Sequence, residues 1–168
     1  MKTRTVGIVI VVAVVIVAAV LAFASRDSSS DGASGGSSSG ASFAGPIMAP
    51  DEFAVADYAG KPLVINLFGS WCPPCNAEAP DLATFAAENP EAQLVGIACE
   101  DTEEGAVGFM EEYGLTYPLV MDDGTLVQEF GIPAYPTTIF FDAQGNEVDR
   151  LVGSATLDQF NASLAKAQ

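Results

Sequence analysis

The order of apolar and polar positions divides this chain into three stretches. Residues 6–24 are nineteen uncharged positions, mostly Val, Ile and Ala. As a helix they cover roughly 28 Å, close to the ~30 Å hydrocarbon core of a bilayer. Residues 25–45 hold nine Ser and five Gly in twenty-one positions, a composition that predicts a flexible tether. From residue 46 onward, short apolar runs alternate with helical patterns. Residues 63–68, apolar but for Asn66, predict a strand buried on both faces. A helix is predicted from the cysteines at 72 and 75 to about Glu88, where Asn89-Pro90 closes it. Residues 93–99 predict a second buried strand. An acidic helix over 102–113 follows, with Val107, Met110 and Tyr113 on its apolar face and Gly114 as its stop. Residues 118–121 read as a short extended piece and 125–130 as a short helix ended by Gly131. A strand at 137–141, a turn at Gly145-Asn146 and a return strand at 147–152 make a hairpin. Ser154 or Thr156 caps a last helix to about Ala165, with Leu157, Phe160 and Leu164 inward. The order predicts an α/β domain at 46–168, a mixed central sheet with helices on both faces. An N-terminal membrane anchor or signal (1–24) and the linker (25–45) precede it.

Charge fixes the orientation of the first stretch. Lys2 and Arg4 stand before the apolar run, which favours a cytoplasmic N-terminus and an exported remainder. Ala22-Phe23-Ala24 has the form of a signal cleavage site, so a cleaved signal is the second reading. No cysteine follows the run to accept a lipid. The domain is therefore expected outside the cytoplasm, on a single-pass anchor in the cell membrane or secreted, where disulfides persist. Within it Lys61, Arg150 and Lys166 face twenty acids, because only Asp27 and Asp31 of the 22 lie earlier, a net −17. Such a field excludes nucleic acid as a partner, which needs clusters of Lys and Arg. Histidine is absent, which excludes a His-based triad, a zinc–His site and haem–His ligation. No pattern calls for a cofactor or a metal.

The chemistry lies at Trp71-Cys72-Pro73-Pro74-Cys75. Two residues between cysteines at a helix start bring both sulfurs within bonding reach. The unpaired N–H groups and the helix dipole there favour a thiolate at Cys72. Pro73 and Pro74 suit the first turn, where an N–H has no partner anyway. Cys75, one turn in, is the resolving thiol that attacks a mixed disulfide formed by Cys72. A stapling disulfide and a thiolate metal site are the alternatives. The first closes too short a loop to stabilise much, and the second has only Cys99 to add. A peroxidase would need an arginine beside a single attacking thiolate, and Arg150 is the domain's only one.

Residues 50–165 resemble a thioredoxin-like fold, and specifically the membrane-anchored, exported thiol–disulfide oxidoreductases of the TlpA/ResA type. The resemblance is carried by Asn66-Leu-Phe-Gly-Ser-Trp-Cys-Pro-Pro-Cys75, by Glu78 and Pro80, and by Tyr135-Pro136-Thr137-Thr138 before a strand. It implies a cis peptide at Pro136, packed against the disulfide. It also implies a substrate groove lined by Tyr135 and Pro136 together with Trp71, Pro73 and Pro74. Glu78 matches an acid that tunes the thiols and relays protons, while Asn66 stands where thioredoxin has a buried Asp. A solvated Glu on an acidic helix is the other reading of Glu78. Glu100, at the end of the second strand, is a weaker candidate for the same work, and Cys99 reads as a small core residue. The implied partners are protein thiols or disulfides, apocytochrome c among them, and a membrane redox donor or acceptor. The implied activity is disulfide reduction in cytochrome c maturation or a similar process, with disulfide formation as the alternative direction. Only ten residues separate Pro50 from Lys61, which leaves little room for the N-terminal hairpin of many relatives.

Overall fold

The run at 63–68 forms the strand around which the rest is arranged. The computed structural model describes residues 43–168. The predicted anchor at 6–24 and nearly all of the Ser/Gly segment lie outside the described residues. Six strands form one sheet: β1 (Ile47–Met48), β2 (Leu63–Phe68), β3 (Gln93–Cys99), β4 (Leu119–Asp122), β5 (Thr137–Phe141) and β6 (Glu147–Val152). Four α-helices accompany them: α1 (Pro73–Glu88), α2 (Glu103–Glu112), α3 (Thr125–Glu129) and α4 (Leu157–Leu164). The strand order is β1-β4-β3-β2-β5-β6. β2 pairs parallel with β3 and antiparallel with β5, so the sheet is mixed as expected.

Helices cover both faces, unequally. Val64 and Phe140 on one face meet Leu82 and Phe85 of α1 and Phe160 and Leu164 of α4. Phe68, Ala98 and Leu119 on the same face meet Ala79 of α1 and Ala106, Phe109 and Met110 of α2. The opposite face, built from Ile65, Leu67, Ile97, Val120 and Ile139, is closed by Leu126 of α3 and by Phe53. Alternation along β2 thus sends successive side chains into different clusters, which is why the strand reads as uniformly apolar.

Three details differ from the sequence-based expectation. The expected Val107, Met110 and Tyr113 of α2 pack on the core, but the stripe also takes in Ala106 and Phe109, which lie deeper than Val107. Phe109 is drawn in because its ring stacks on Phe68 at 4.5 Å. β1 was not anticipated: its two residues exist as a strand only through parallel pairing with β4. Phe43, assigned to the linker, packs on the α2 side of the core and donates its N–H to Glu111 at 2.7 Å. Of the two expected caps of α4 it is Thr156 that serves, with the Gln159 side chain accepting from its N–H at 3.0 Å. Between β1 and β2 lie two 3₁₀ turns, Pro50–Glu52 and Val55–Tyr58, and no hairpin. Among the described residues no helix is long and apolar enough to cross a membrane.

Candidate active site

β2 and β3 run parallel and end at the same edge of the sheet, and the cysteine motif leaves β2 there. Cys72 is the N-cap of α1, with Pro73 and Pro74 in the first turn. Their missing N–H groups cost nothing at that position. A disulfide joins Cys72 to Cys75 across a Cα separation of 5.3 Å. The Cys75 N–H points at the Cys72 sulfur, 3.3 Å away, so a thiolate formed at Cys72 would face a helix-terminal donor. Both cysteines are buried, Cys72 at 4% exposure and Cys75 at 1%. The two thus differ little in burial. The neighbours Trp71, Pro73 and Pro74 are exposed.

Trp71 is 53% exposed. Its indole N–H donates to the Glu100 carbonyl at 3.1 Å, and the Tyr135 ring stands edge-on to it with centroids 6.0 Å apart. The Tyr135–Pro136 peptide is cis, as the resemblance implies. Tyr135 packs on the cluster that holds Cys72 and Cys75. With Asp122, Gly124 and Val127 it also lines an open hollow of about 290 Å³. The structure thus gathers Trp71, Cys72, Cys75 and Tyr135 in one place.

Glu78 is not solvated. It is 2% exposed and its two oxygens have separate partners. One accepts from the Asn66 side chain at 2.9 Å and the other from the Ala155 N–H at 3.0 Å. Asn66 also donates to Thr138 at 2.9 Å, which fixes its amide between β2 and β5. Burial raises the Glu78 pKa to about 7, against the lowering effect of the Ala155 and Asn66 hydrogen bonds. Burial, and next the Glu78 charge, push the Tyr117 phenol upward. The result is a carboxyl group one turn past Cys75, poised to exchange a proton near neutrality.

Glu100 is exposed and supplies its carbonyl rather than its carboxylate. Cys99 is a core residue: burial, and next the Asp122 charge, push its thiol up to about 12. Two residues near the motif went unread in the sequence. Asn76 donates to the Ser70 and Cys72 carbonyls, both at 2.9 Å, and accepts from the Tyr113 hydroxyl at 3.0 Å. Asp101 accepts from the Ser70 N–H at 2.6 Å and the Ser70 hydroxyl at 2.9 Å. A polar residue inside α1 and one acid among many carry no spacing signal.

A mixed sheet, a Cys-Pro-Pro-Cys disulfide at a helix start and a cis Tyr135–Pro136 peptide whose tyrosine packs on the cysteine cluster define a thioredoxin-like thiol–disulfide oxidoreductase. The chain belongs to the AhpC/TSA family, whose profile matches residues 41–148. It is 27% identical over 118 residues to the thiol–disulfide oxidoreductase ResA of Bacillus anthracis, covering 68% of each chain. It is 31% identical over 126 residues to the soluble secreted antigen MPT53 of Mycobacterium tuberculosis, covering 73% of each. Among solved structures it resembles a secreted Mycobacterium tuberculosis disulfide oxidoreductase homologous to E. coli DsbE. There the TM-score is 0.61 at 32% identity, over 66% of this chain and 84% of that one.

Proposed function

We propose that this thiol–disulfide oxidoreductase works outside the cytoplasm, held by residues 6–24, and reduces disulfides in exported proteins, apocytochrome c among them. The location is supported by the apolar run behind Lys2 and Arg4. It is also supported by the secreted relatives. In the proposed cycle the Cys72 thiolate attacks a substrate disulfide. One substrate sulfur leaves as thiolate while the other is held in a mixed disulfide with Cys72. Cys75 then gives its proton to Glu78 and attacks the Cys72 sulfur, releasing the second substrate thiol. The Cys72–Cys75 disulfide left behind holds the two electrons' worth of oxidation taken from the substrate. A membrane thiol donor returns two electrons and two protons. Trp71, Pro73, Pro74, Tyr135 and Pro136 form the rim that receives the substrate chain.

The observation that carries the reductive direction is the burial of Glu78 one turn beyond Cys75. A strong dithiol oxidant owes its potential to a stabilised reduced state. A buried carboxyl group that titrates near neutrality opposes a second anion at Cys75. The reduced pair is therefore less stabilised and gives up its electrons more readily. A peroxidase reading lacks support, because Arg150 is engaged by Glu147 and the Phe130 carbonyl, each at 2.8 Å.

The test is the reduction potential of the full chain in detergent, equilibrated in glutathione buffers and read by fluorescence of Trp71, the single tryptophan. A reductase gives a value near the thioredoxin end, about −270 mV. A value near −120 mV would reverse the direction and make the protein a disulfide-forming oxidase.

A further inference from the structure

The residues just before Cys72 are held from the side by the chain leaving β3. Glu100, the first residue past that strand, has φ +51°, in the left-handed region that residues other than glycine seldom adopt. This turn presents the Glu100 carbonyl to the Trp71 indole N–H at 3.1 Å. The next residue, Asp101, uses one carboxylate oxygen for the Ser70 N–H at 2.6 Å. Its other oxygen accepts from the Ser70 hydroxyl at 2.9 Å and the Thr102 N–H at 2.8 Å. Two consecutive residues thus grip two consecutive residues of the rim.

Two glycines are shaped to this grip. A Cβ at Gly69 would lie 2.6 Å from the Trp71 ring, so only glycine lets the indole lie back over the chain toward Glu100. A Cβ at Gly105, in the first turn of α2, would come within 2.7 Å of the Asp101 carboxylate and 2.8 Å of the Ser70 hydroxyl. Neither glycine has a positive φ, so space rather than backbone conformation requires them.

We propose that the Glu100-Asp101 turn is a positioning device for substrate capture, which fixes the Ser70-Trp71 rim beside the disulfide. The proposal rests on the thiol–disulfide activity and adds residues that do not touch the reacting sulfurs. Losing the grip frees Trp71 and Ser70 to move, which weakens substrate docking while leaving electron transfer between Cys72 and Cys75 intact. The effect therefore falls on KM rather than kcat.

The experiment is insulin reduction by the full chain in detergent with dithiothreitol as electron source. It is run on the wild type, Glu100→Val, Glu100→Gly and Asp101→Ala, with acrylamide quenching of Trp71 in parallel. Valine, branched at Cβ, resists the left-handed turn, whereas glycine accepts it. Both remove the same carboxylate, so a charge effect would move them together. Glu100→Val and Asp101→Ala are expected to raise KM about tenfold, equivalent to ~1.4 kcal/mol, with kcat within about twofold and Trp71 more easily quenched. Glu100→Gly is expected to restore KM. Asp101→Ala leaves the backbone turn unsubstituted and decides the matter if Glu100→Val fails to fold. Unchanged KM in Asp101→Ala, equal KM in the two Glu100 variants, or a fall in kcat alone overturns the proposal. A wild type without insulin turnover overturns the activity itself.

Discussion

At the scale of the residue, Glu78 concentrates the physics of the site. Its carboxyl group sits in the core between two neutral donors, the Asn66 amide and the Ala155 N–H, and among the described residues no cation pairs with it. Hydrogen bonds of this kind favour the carboxylate, but burial outweighs them and leaves the pKa at about 7. The consequence for stability has a definite sign. Between the ordinary value of 4.5 and about 7 the folded chain keeps a proton that the unfolded chain releases. The contribution is complete below that window and is lost as pH rises through it, by roughly 3 kcal/mol. The hydrogen-bonded acids Asp142 and Glu147 are shifted downward instead, so they act below the ordinary carboxylate range. Denaturant unfolding of the oxidised protein should show stability falling from pH 4.5 to 7.5 in the wild type and a flat profile in Glu78→Gln. An equally steep fall in the variant would place the titrating group elsewhere. The sequence left Glu78 divided between an acid that tunes the thiols and a solvated Glu. Its helical position was legible, but its partners lie 12 and 77 residues away and only the folded sheet brings them to it.

At the scale of the element, α1 links site and core. Its buried positions are Cys75, Glu78, Ala79, Leu82 and Phe85, one stripe at helical spacing. The same face that buries the resolving cysteine therefore docks the helix, and Phe85 anchors its far end. That ring meets Phe140 of β5 edge-on at 6.4 Å and Phe160 of α4 at 5.5 Å. Phe85→Ala should cost about 3–5 kcal/mol in chemical unfolding, with the folded fraction retaining wild-type KM for insulin. A cost below about 1 kcal/mol would mean that the α1–α4 contact does not hold the helix. Elements of this kind were legible where one periodicity dominated, as in β2, β3, α1 and the β5–β6 hairpin. In α2 the expected Val107, Met110 and Tyr113 do face the core, but the depth of Phe109 left no signal, because it comes from stacking on Phe68. β1 left no signal, since a two-residue strand is defined by its partner and not by its own pattern.

At the scale of the molecule, the domain combines an ordinary thioredoxin-like interior with an unusually acidic exterior. The chain carries 22 acids against six basic residues, and the described ion pairs are Arg150–Glu147 and Lys166–Asp149. So large an excess favours encounter with basic rather than acidic partners. The fold class and the Cys-Pro-Pro-Cys motif were legible because both are written locally. The grip of Asp101 on Ser70 was not, because it joins loops 31 residues apart. In the proposed cycle Cys72 exchanges disulfides with protein substrates and Cys75 resolves the intermediate. The decisive experiment is insulin reduction by the wild type, Cys72→Ser and Cys75→Ser. Turnover is expected from the wild type, none from Cys72→Ser, and a trapped mixed disulfide between insulin and Cys72 in Cys75→Ser. Turnover by Cys72→Ser at the wild-type rate would contradict the cycle.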